Sequence, residues 1–433
     1  MSLASVSNVS ACWLRWCEPP LNDGWESVIL CQVRFGRLYH CNHQEGVVRV
    51  RLSKHASHRA RRALFVAGAV CATAALAAGA ALASNTSSKS FNWSTAKSAK
   101  AGGGKKALIK AAKKEGTLNV IALPTNWANY GKEMSKFHKM YGIKIVSYNP
   151  SGTSAQEIQA IKTLKGRSSA PDVVDVGGPF ASAGASQNLF APYKVMTWKN
   201  IPKNQKDKSG RFYQDYGGFI SFGCNMNLLG NTPCPTKWSQ LKQAKYHNDI
   251  DLNGSPLSAN AALSGVWAAA VNNGGSAKNI APGVNFFKQL MSAGNFNATD
   301  CNAASIIATS CPITLNWDYL NTASAWGLSG ATHWKVVDPK GIPFGGFYNQ
   351  AVSKYAPHPA AARLWQEFLY SVKGQNIWLQ GGARPVELGA MIKAGTANKT
   401  ALKRLPKVAN LDKAVIPTTA QSVAASTYVV NNW

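Results

Sequence analysis

One stretch of sequence decides the fold: residues 118–148 read LNVIALPTNWANYGKEMSKFHKMYGIKIVSY. The apolar run that opens it and the one that closes it are both typical of buried strands. Between them Met134, Phe137 and Tyr141 recur at i, i+3 and i+7, which predicts a helix with one apolar face. A strand, a helix and a strand at this spacing indicate an α/β fold built on a parallel sheet.

The same alternation continues on both sides of this stretch. It predicts a helix at 105–115 and a strand at 173–176. Two glycine-marked strands, 216–222 and 344–348, interrupt the alternation and are interpreted as crossings between two lobes. Further predicted elements are a helix at 259–271, a strand at 313–317, and helices at 359–370 and 374–379.

Residues 59–83 carry the features of an export signal. Arg59, Arg61 and Arg62 precede 21 uncharged residues that end on Ala-Leu-Ala, a pattern that signal peptidase accepts. An uncleaved membrane anchor is the alternative, but the run is mostly alanine and glycine, which insert weakly. We therefore expect a cleaved signal and a protein that works outside the cytoplasm.

The predicted domain organisation follows from this signal and from the two crossings. The first 46 residues show no regular period and are interpreted as an extension from a misassigned start, with a genuine cytoplasmic extension as the alternative. The predicted segments are an extension at 1–46, a signal peptide at 47–83, a flexible linker at 84–104, lobe 1 at 105–218, lobe 2 at 219–343, and a return to lobe 1 with C-terminal helices at 344–433.

The chain is strongly basic, with 47 lysines and arginines against 19 aspartates and glutamates and a formal net charge of +28. The lysines are scattered, and the sequence contains neither a Cys/His finger nor an RNA-binding aromatic motif, so we expect no nucleic-acid partner. The expected consequence is a solvated basic surface, which attracts anionic envelope polymers over long range.

Four cysteines follow the signal, as Cys224/Cys234 and Cys301/Cys311. An even count in an exported chain indicates disulfides. Three connectivities are possible, and we predict local pairing within each ten-residue interval. A metal site is the alternative, but the spacing is far wider than CxxC and no histidine lies nearby, so we expect no metal and no other cofactor.

Motifs that carry catalysis are absent from the sequence: it has no G-x-S-x-G, no H-E-x-x-H and no P-loop. Asp172 and Asp175 are a candidate carboxylate pair, but residues three apart on a strand point to opposite faces. We therefore expect no enzymatic activity, with a secreted hydrolase as the alternative.

Five segments occur in a characteristic order: KEGTLNV at 114–120, SGTS at 151–154, APDVV at 170–174, TKWSQL at 236–241 and APHPAA at 356–361. Taken in this order, they resemble the extracellular solute-binding proteins of ABC importers, in the branch that holds ferric-iron and polyamine binders. The resemblance spans about residues 105–405 and implies a type 2 periplasmic-binding fold, a two-lobed clamp with crossing hinge strands that closes on a solute. It also implies delivery of a small-molecule solute to an ABC permease with its ATPase, and we expect a monomer.

Ligands of open α/β sheets bind at the carboxyl ends of strands, which directs attention to the loops that follow them. Trp127 offers a flat face for a cation–π contact. The hydroxyls of the 151–154 loop suit an anion or a carbonyl oxygen, with an ordinary helix cap as the alternative. The candidate ligand-binding residues are Asn126, Trp127, Ser151, Gly152, Thr153, Ser154, Gly178, Tyr216, Trp317, Asp318, Tyr319 and Tyr348.

Asp318 is the candidate on which the expected ligand class depends. With Trp317 and Tyr319 on either side, it resembles the carboxylate and aromatic arrangement that polyamine-binding relatives use for ammonium groups. An amine-bearing solute is therefore favoured, and a helix cap is the alternative role for Asp318. Ferric-iron relatives use a pair of tyrosines, and the sequence has no adjacent Tyr-Tyr.

Overall fold

The computed structural model describes residues 29–33, 37–41, 91–301, 305, 310–327 and 333–433. The predicted signal peptide lies outside these ranges. The chain divides into two compact units, Met1–Asn85 and Thr86–Trp433. In the first, β1 (Ile29–Val33) pairs antiparallel with β2 (Arg37–Cys41), although the sequence showed no strand period there. No helix among the described residues combines the length and apolar character needed to span a bilayer.

The second unit alternates strands and helices. Its strands are β3 (Thr117–Ile121), β4 (Lys144–Tyr148), β5 (Val173–Val176), β6 (Phe190–Ala191), β7 (Tyr213–Asn225), β8 (Ile250–Leu252), β9 (Phe296–Asp300), β10 (Ile313–Trp317), β11 (Trp334–Val337), β12 (Gly345–Ser353) and β13 (Arg384–Pro385). Its described α-helices are α1 (Lys105–Glu115), α2 (Tyr130–Tyr141), α3 (Ser154–Thr163), α4 (Gly178–Ser186), α5 (Met226–Leu229), α6 (Asn260–Val271), α7 (Ala281–Ser292), α8 (Asp318–Gly327), α9 (Pro359–Leu369), α10 (Val372–Gln380), α11 (Leu388–Lys393), α12 (Lys399–Arg404) and α13 (Thr419–Asn432).

The stretch that decides the fold forms the predicted strand, helix and strand. Helix α2 buries Phe137 and Tyr141 on one face, as their spacing predicts. Gly142 ends the helix in the left-handed region at φ 71°, where a residue without Cβ is favoured. Strands β3 and β4 then pair in parallel, with Leu118 opposite Ile145. The sequence prediction of an α/β unit with parallel strands is confirmed.

Strand β7 belongs to two groups of strands. Its first half pairs with β12, and its second half pairs with β10. The first strand group contains β5, β6, β12 and β13, with the β3–β4 pair beside β5; the second contains β8, β9, β10 and β11. A Cβ on Gly217 would lie 2.1 Å from the carbonyl oxygen of Gly346, so the close approach of the strands requires glycine. The predicted glycine-marked crossing at 216–222 lies within β7.

Residues 91–104 correct the prediction of a flexible linker at 84–104. Trp93, Ala96 and Ala99 are buried, with Trp93 only 7% exposed. The guanidinium of Arg363 on α9 donates to the carbonyl oxygens of Ala96 (2.9 Å) and Ser94 (2.8 Å). This part of the chain is therefore anchored on the fold through Trp93, Ala96 and Ala99 and through Arg363, while most of its other residues remain exposed.

Helix α13 packs on helices from both strand groups. It contacts α4, which follows β5, and α7, which precedes β9. The ring of Trp433 lies 5.6 Å from that of Phe287 and 6.2 Å from that of Phe296. The end of the predicted return to lobe 1 therefore also contacts the second strand group.

The structure pairs Cys224 with Cys234 and Cys301 with Cys311, as predicted. We expect the Cys224→Ala/Cys234→Ala variant to lose about 2–3 kcal/mol of unfolding free energy, because a closed ten-residue loop restricts the unfolded chain. Urea unfolding followed by tryptophan fluorescence measures the loss. Wild-type protein treated with a thiol reductant should lose at least as much, and an unchanged urea midpoint in the variant would contradict the prediction.

Candidate functional site

A cavity of about 550 Å³ opens where carboxyl ends of both strand groups meet. The first group contributes the loops that follow β3 and β4, together with Asp175 near the end of β5. The second contributes Asn253 and Gly254 after β8, Asp300 at the end of β9, and Asn260 at the start of α6. This is the position at which open α/β sheets bind ligands.

Seven of the twelve predicted ligand-binding residues line this cavity. In the 151–154 loop, Thr153 caps α3, since its hydroxyl accepts a hydrogen bond from the Gln156 amide. The hydroxyl of Ser154 likewise accepts from the Gly177 amide at 3.1 Å. The helix-cap alternative therefore describes Thr153, although both residues also line the cavity. The seven are Asn126, Trp127, Ser151, Gly152, Thr153, Ser154 and Tyr348.

Two buried carboxyl groups, on Glu157 and Asp175, form the acidic floor of the cavity. Asp175 Oδ2 accepts hydrogen bonds from the hydroxyls of Tyr130 (2.7 Å) and Tyr216 (2.8 Å). Asp175 Oδ1 is buried and accepts no hydrogen bond from a described N–H, tyrosine or amide donor, but the Asp175 side chain also makes a hydrogen bond with the buried carboxyl group of Asp215. Glu157 Oε2 accepts from the backbone amide of Asp175 at 2.8 Å. The floor thus contains one buried carboxylate oxygen that a donor group would satisfy.

The acidic floor is electrostatically unfavourable without a cation. Burial raises the pKa of Asp175 to about 6, opposed by the hydrogen bonds that the two tyrosines donate. Burial also raises the pKa of Glu157, and the nearby Asp175 charge adds to this. Behind them, burial and the Asp175 charge raise the pKa of Asp215, which accepts a hydrogen bond from Gln350 at 3.0 Å. A positive group at the floor would favour the ionised carboxylates.

The cavity is opposite in charge to the chain that surrounds it. Glu157, Asp175 and Asp300 line it, whereas none of the described lysines, arginines or histidines does. The whole chain has a formal net charge of +28. The carboxyl groups at the cavity are therefore a local feature of this site and do not reflect the composition of the whole chain.

An aromatic wall stands beside the acidic floor. The indole N–H of Trp127 donates to the hydroxyl of Tyr216 at 2.9 Å, and its ring meets that of Tyr348 edge-on at 5.8 Å. Tyr216 and Tyr348 stack with 11° between their planes. Trp317 and Tyr319 stack with 8° between their planes, and Trp317 Nε1 lies 3.4 Å from the Tyr348 hydroxyl. Tyr216, Trp317 and Tyr319 therefore support the wall from behind without lining the cavity.

The structure corrects the role expected for Asp318. Its Oδ2 pairs with Arg384 Nη1 at 2.6 Å, and its Oδ1 accepts the backbone amides of Phe219 (3.1 Å) and Tyr319 (2.8 Å). The carboxylate is buried and does not line the cavity. Its charge is thus already balanced within the protein, which leaves no reason to assign it to an amine.

Gly178 also lies outside the cavity. It begins α4, and a Cβ placed on it would lie 3.4 Å from the hydroxyl oxygen of Ser422 on α13. At this glycine the structure shows the close approach of two helices, beside a second, smaller cavity that Gly178 lines together with Gln214 and Phe347.

Ligand atoms of Asp251, Cys301 and Cys311 lie within 4.8 Å of one another, the arrangement closest to a metal site among the described residues. The two sulfur atoms are joined in a disulfide. Metal-binding cysteines act as thiolates, so this cluster does not have the donors of a metal centre.

A family model described as bacterial extracellular solute-binding protein matches residues 168–414, more than half of the chain. This chain belongs to that family. The solute-binding protein is therefore of the ABC-transporter type, acts outside the cytoplasm, and has a small-molecule ligand and an ABC permease as its partners. No curated protein sequence matches it.

Solved structures similar to the solute-binding protein are two-lobed periplasmic binding proteins. The periplasmic binding protein AfuA from Actinobacillus pleuropneumoniae, with fructose-6-phosphate bound, is 17% identical over 73% of this chain and 97% of its own, with a TM-score of 0.58. Iron-bound HitA from Pseudomonas aeruginosa is 17% identical over 73% and 97%, with a TM-score of 0.53. A putative spermidine/putrescine ABC transporter from Listeria monocytogenes is 13% identical over 73% and 98%, with a TM-score of 0.53. The predicted two-lobed clamp is confirmed, and at these identities the likeness concerns the fold alone.

Proposed function

We propose that this protein captures a small amine-bearing cation between its lobes and delivers it, chemically unchanged, to an ABC permease with its ATPase. One observation carries the proposal: Glu157, Asp175 and Asp300 line the cavity with carboxyl groups and no described basic side chain lines it, while Asp175 Oδ1 accepts no hydrogen bond from a described N–H, tyrosine or amide donor. An ammonium group is the ligand chemistry that satisfies both the missing hydrogen bond and the missing positive charge.

The rest of the cavity fits the apolar part of such a solute. Trp127 and Tyr348 present aromatic surface beside the acidic floor, which suits cation–π contacts and packing of methylene groups. Asn126 and Ser151 lie at the same cavity and offer neutral polar groups for a second substituent. The amine preference therefore rests on Glu157 and Asp175, in place of Asp318.

An anionic solute fits the same residues poorly. A phosphate or carboxylate at the acidic floor would face Glu157 and Asp175 at short range, and like charges repel strongly where water is excluded. Among the ligand classes named for similar structures, the lining therefore favours an amine over a sugar phosphate.

A thermal-shift screen followed by calorimetry tests the proposal. The panel contains putrescine, spermidine, γ-aminobutyrate, fructose-6-phosphate and ferric citrate, each at a matched ionic strength. A ligand that binds only the folded state raises the melting temperature by mass action, so an amine should give a saturable rise. A rise with fructose-6-phosphate or ferric citrate and none with any amine would overturn the proposal.

Affinity for an amine should depend on pH. Burial raises the pKa of Asp175 to about 6, so the carboxyl group is neutral below that pH and ionised above it. An aliphatic amine stays protonated throughout, with a pKa of about 10. We expect calorimetry from pH 4.5 to 8.5 to show affinity that rises by up to about tenfold per unit below pH 6 and then levels off.

The unliganded protein supplies the control for this pH dependence. A carboxyl group whose pKa is raised on folding binds its proton more tightly in the folded state, so its contribution to stability falls as pH rises from its usual value towards 6. Substituting Asp175→Asn should remove this fall from the urea-unfolding profile. Amine affinity that decreases between pH 5 and 7 would contradict the assignment of Asp175.

A further inference from the structure

Exposed cations cluster at the end of the first strand group that lies opposite the cavity. Here α1, α2 and α3 end, and β3, β4 and β5 begin. We call this cluster the basic rim, and its members are all exposed: Lys113, Lys114, Lys139, Lys144, Lys165 and Arg167. The residues come from four separate segments of sequence, so the topology of the fold is what brings them to one edge.

The carboxylates at this edge already have partners. Glu115 accepts the backbone amides of Ala360 and Ala361 at the start of α9. Asp172 is buried and pairs with His358 at 2.9 Å. None of the ion pairs among the described residues includes a member of the basic rim. The positive charge of the rim is therefore not neutralised within the described protein.

The two segments of sequence around the basic rim also carry an excess of positive charge. Residues 105–218 and 344–433 together contain 28 lysines and arginines but ten aspartates and glutamates. Seven of those ten acidic residues are buried, namely Glu133, Glu157, Asp172, Asp175, Asp215, Glu367 and Glu387. The acidic side chains of these segments thus point mainly inward while the basic ones remain at the surface.

Helix termini explain only part of the basic rim. Lys113 and Lys114 lie in the last turn of α1, and Lys139 in that of α2, where a cation is stabilised by the helix dipole. Lys144 instead begins β4, and Lys165 and Arg167 lie beyond the end of α3. Three exposed cations at the same edge therefore lie outside the helices.

We propose that the basic rim binds a linear phosphodiester polymer of the cell envelope. Rows of lysine and arginine bind phosphate oxygens through charge-assisted hydrogen bonds and attract a polyanion over long range. Strands β3 and β4 are five residues long, so about 16 Å separates the rim from the cavity at their other ends. A bound polymer would therefore leave the cavity open.

The orientation of the protein selects the polymer over the lipid bilayer, and this step rests on the proposed function. Delivery of a solute to a membrane permease requires the cavity to face the membrane. Because the cavity lies between the two strand groups, the basic rim, at the opposite ends of the first group's strands, lies to the side of the cavity mouth and outside the surface that faces the membrane. A polyanion outside the membrane satisfies this geometry, and it would retain the receptor in the envelope while the cavity stays accessible.

Fluorescence anisotropy with labelled poly(glycerol phosphate) tests the rim. The Lys113→Glu/Lys144→Glu/Arg167→Glu variant should bind the polymer about tenfold or more weakly than wild type at low salt. The Lys278→Glu/Lys288→Glu/Lys393→Glu variant changes the net charge equally at exposed positions outside the rim, and its affinity should stay within about threefold of wild type. Urea unfolding of both variants checks that they are folded.

Three results would overturn the inference: no polymer binding by wild type, an equal loss in both variants, or rim-dependent binding to phosphatidylglycerol vesicles that is tighter than binding to the polymer. Amine binding is measured on the same samples. It should be unchanged in both variants, because neither set of residues lines the cavity. A polymer result is therefore independent of whether an amine proves to be the solute.

Discussion

The Glu157→Gln/Asp175→Asn variant should lose at least about thirtyfold in affinity for the amine that binds wild type, because losing the partners of a buried charge costs about 2–5 kcal/mol. Both substitutions keep the size of the side chain and remove its charge. An amide oxygen at position 175 can still accept hydrogen bonds from Tyr130 and Tyr216, so the shape of the acidic floor is preserved. Isothermal titration calorimetry at pH 7.5 measures the loss.

An Asp412→Asn variant provides the control, since Asp412 is exposed and does not line the cavity. Its amine affinity should equal that of wild type. Without ligand, the double variant should resist urea at least as well as wild type at pH 7.5, because burial raises the pKa of both replaced groups and their ionised forms are unfavourable there. Amine affinity within about threefold of wild type in a folded double variant would refute the assignment of the acidic floor.

The sequence predicts the fold well where local pattern controls structure. Strands β3, β5 and β10 and helices α1 and α2 lie where the apolar pattern places them, because the strands are buried along nearly their whole length and each helix buries one apolar face. The crossing in β7 is also visible in sequence, since Gly217 is required by the approach of another strand. Each of these features depends on a short segment of sequence, and hydrophobic periodicity is measured over segments of that length.

The loops of the candidate site can be predicted from the sequence, but its acidic residues are harder to predict. Trp127 and the 151–154 loop line the cavity because they follow strands, and that order can be read from sequence. From sequence, Asp175 is predicted only as one half of a candidate carboxylate pair with Asp172, and Glu157 is not predicted as a site residue. One signal was available: Asp175 lies within the apolar run Val173–Val176, where a carboxyl group needs a reason to be buried.

Two wrong predictions share one physical cause, a distant partner. The role of Asp318 changes because Arg384, 66 residues later, balances its charge. Of the linker expected at 84–104, the described part (91–104) is held on the fold because Arg363, more than 260 residues later, binds its carbonyl oxygens. A polar residue or a small-residue segment takes its environment from the tertiary fold, and local composition does not contain that information.

The Arg384→Met variant should lose about 3–5 kcal/mol of unfolding free energy at pH 7, because it leaves the buried carboxylate of Asp318 without a counter-charge. The ion pair connects β13 of the first strand group with the start of α8, directly after β10 of the second. Arg384 also donates to the carbonyl oxygen of Pro406 at 2.8 Å and covers the ring of Phe219. Urea unfolding at pH 7 measures the loss.

The pH dependence and a double variant separate charge from packing. Burial raises the pKa of Asp318, and Arg384 opposes that rise, so the Arg384→Met variant should favour the protonated carboxyl and lose further stability relative to wild type as pH increases from 5 to 8. Adding Asp318→Asn removes the unpaired charge and should restore about 2 kcal/mol or more at pH 7. If the single and double variants instead lose equal stability at every pH, the effect belongs to the contacts of Arg384 with Phe219 and Pro406, and the ion pair contributes nothing to joining the two strand groups.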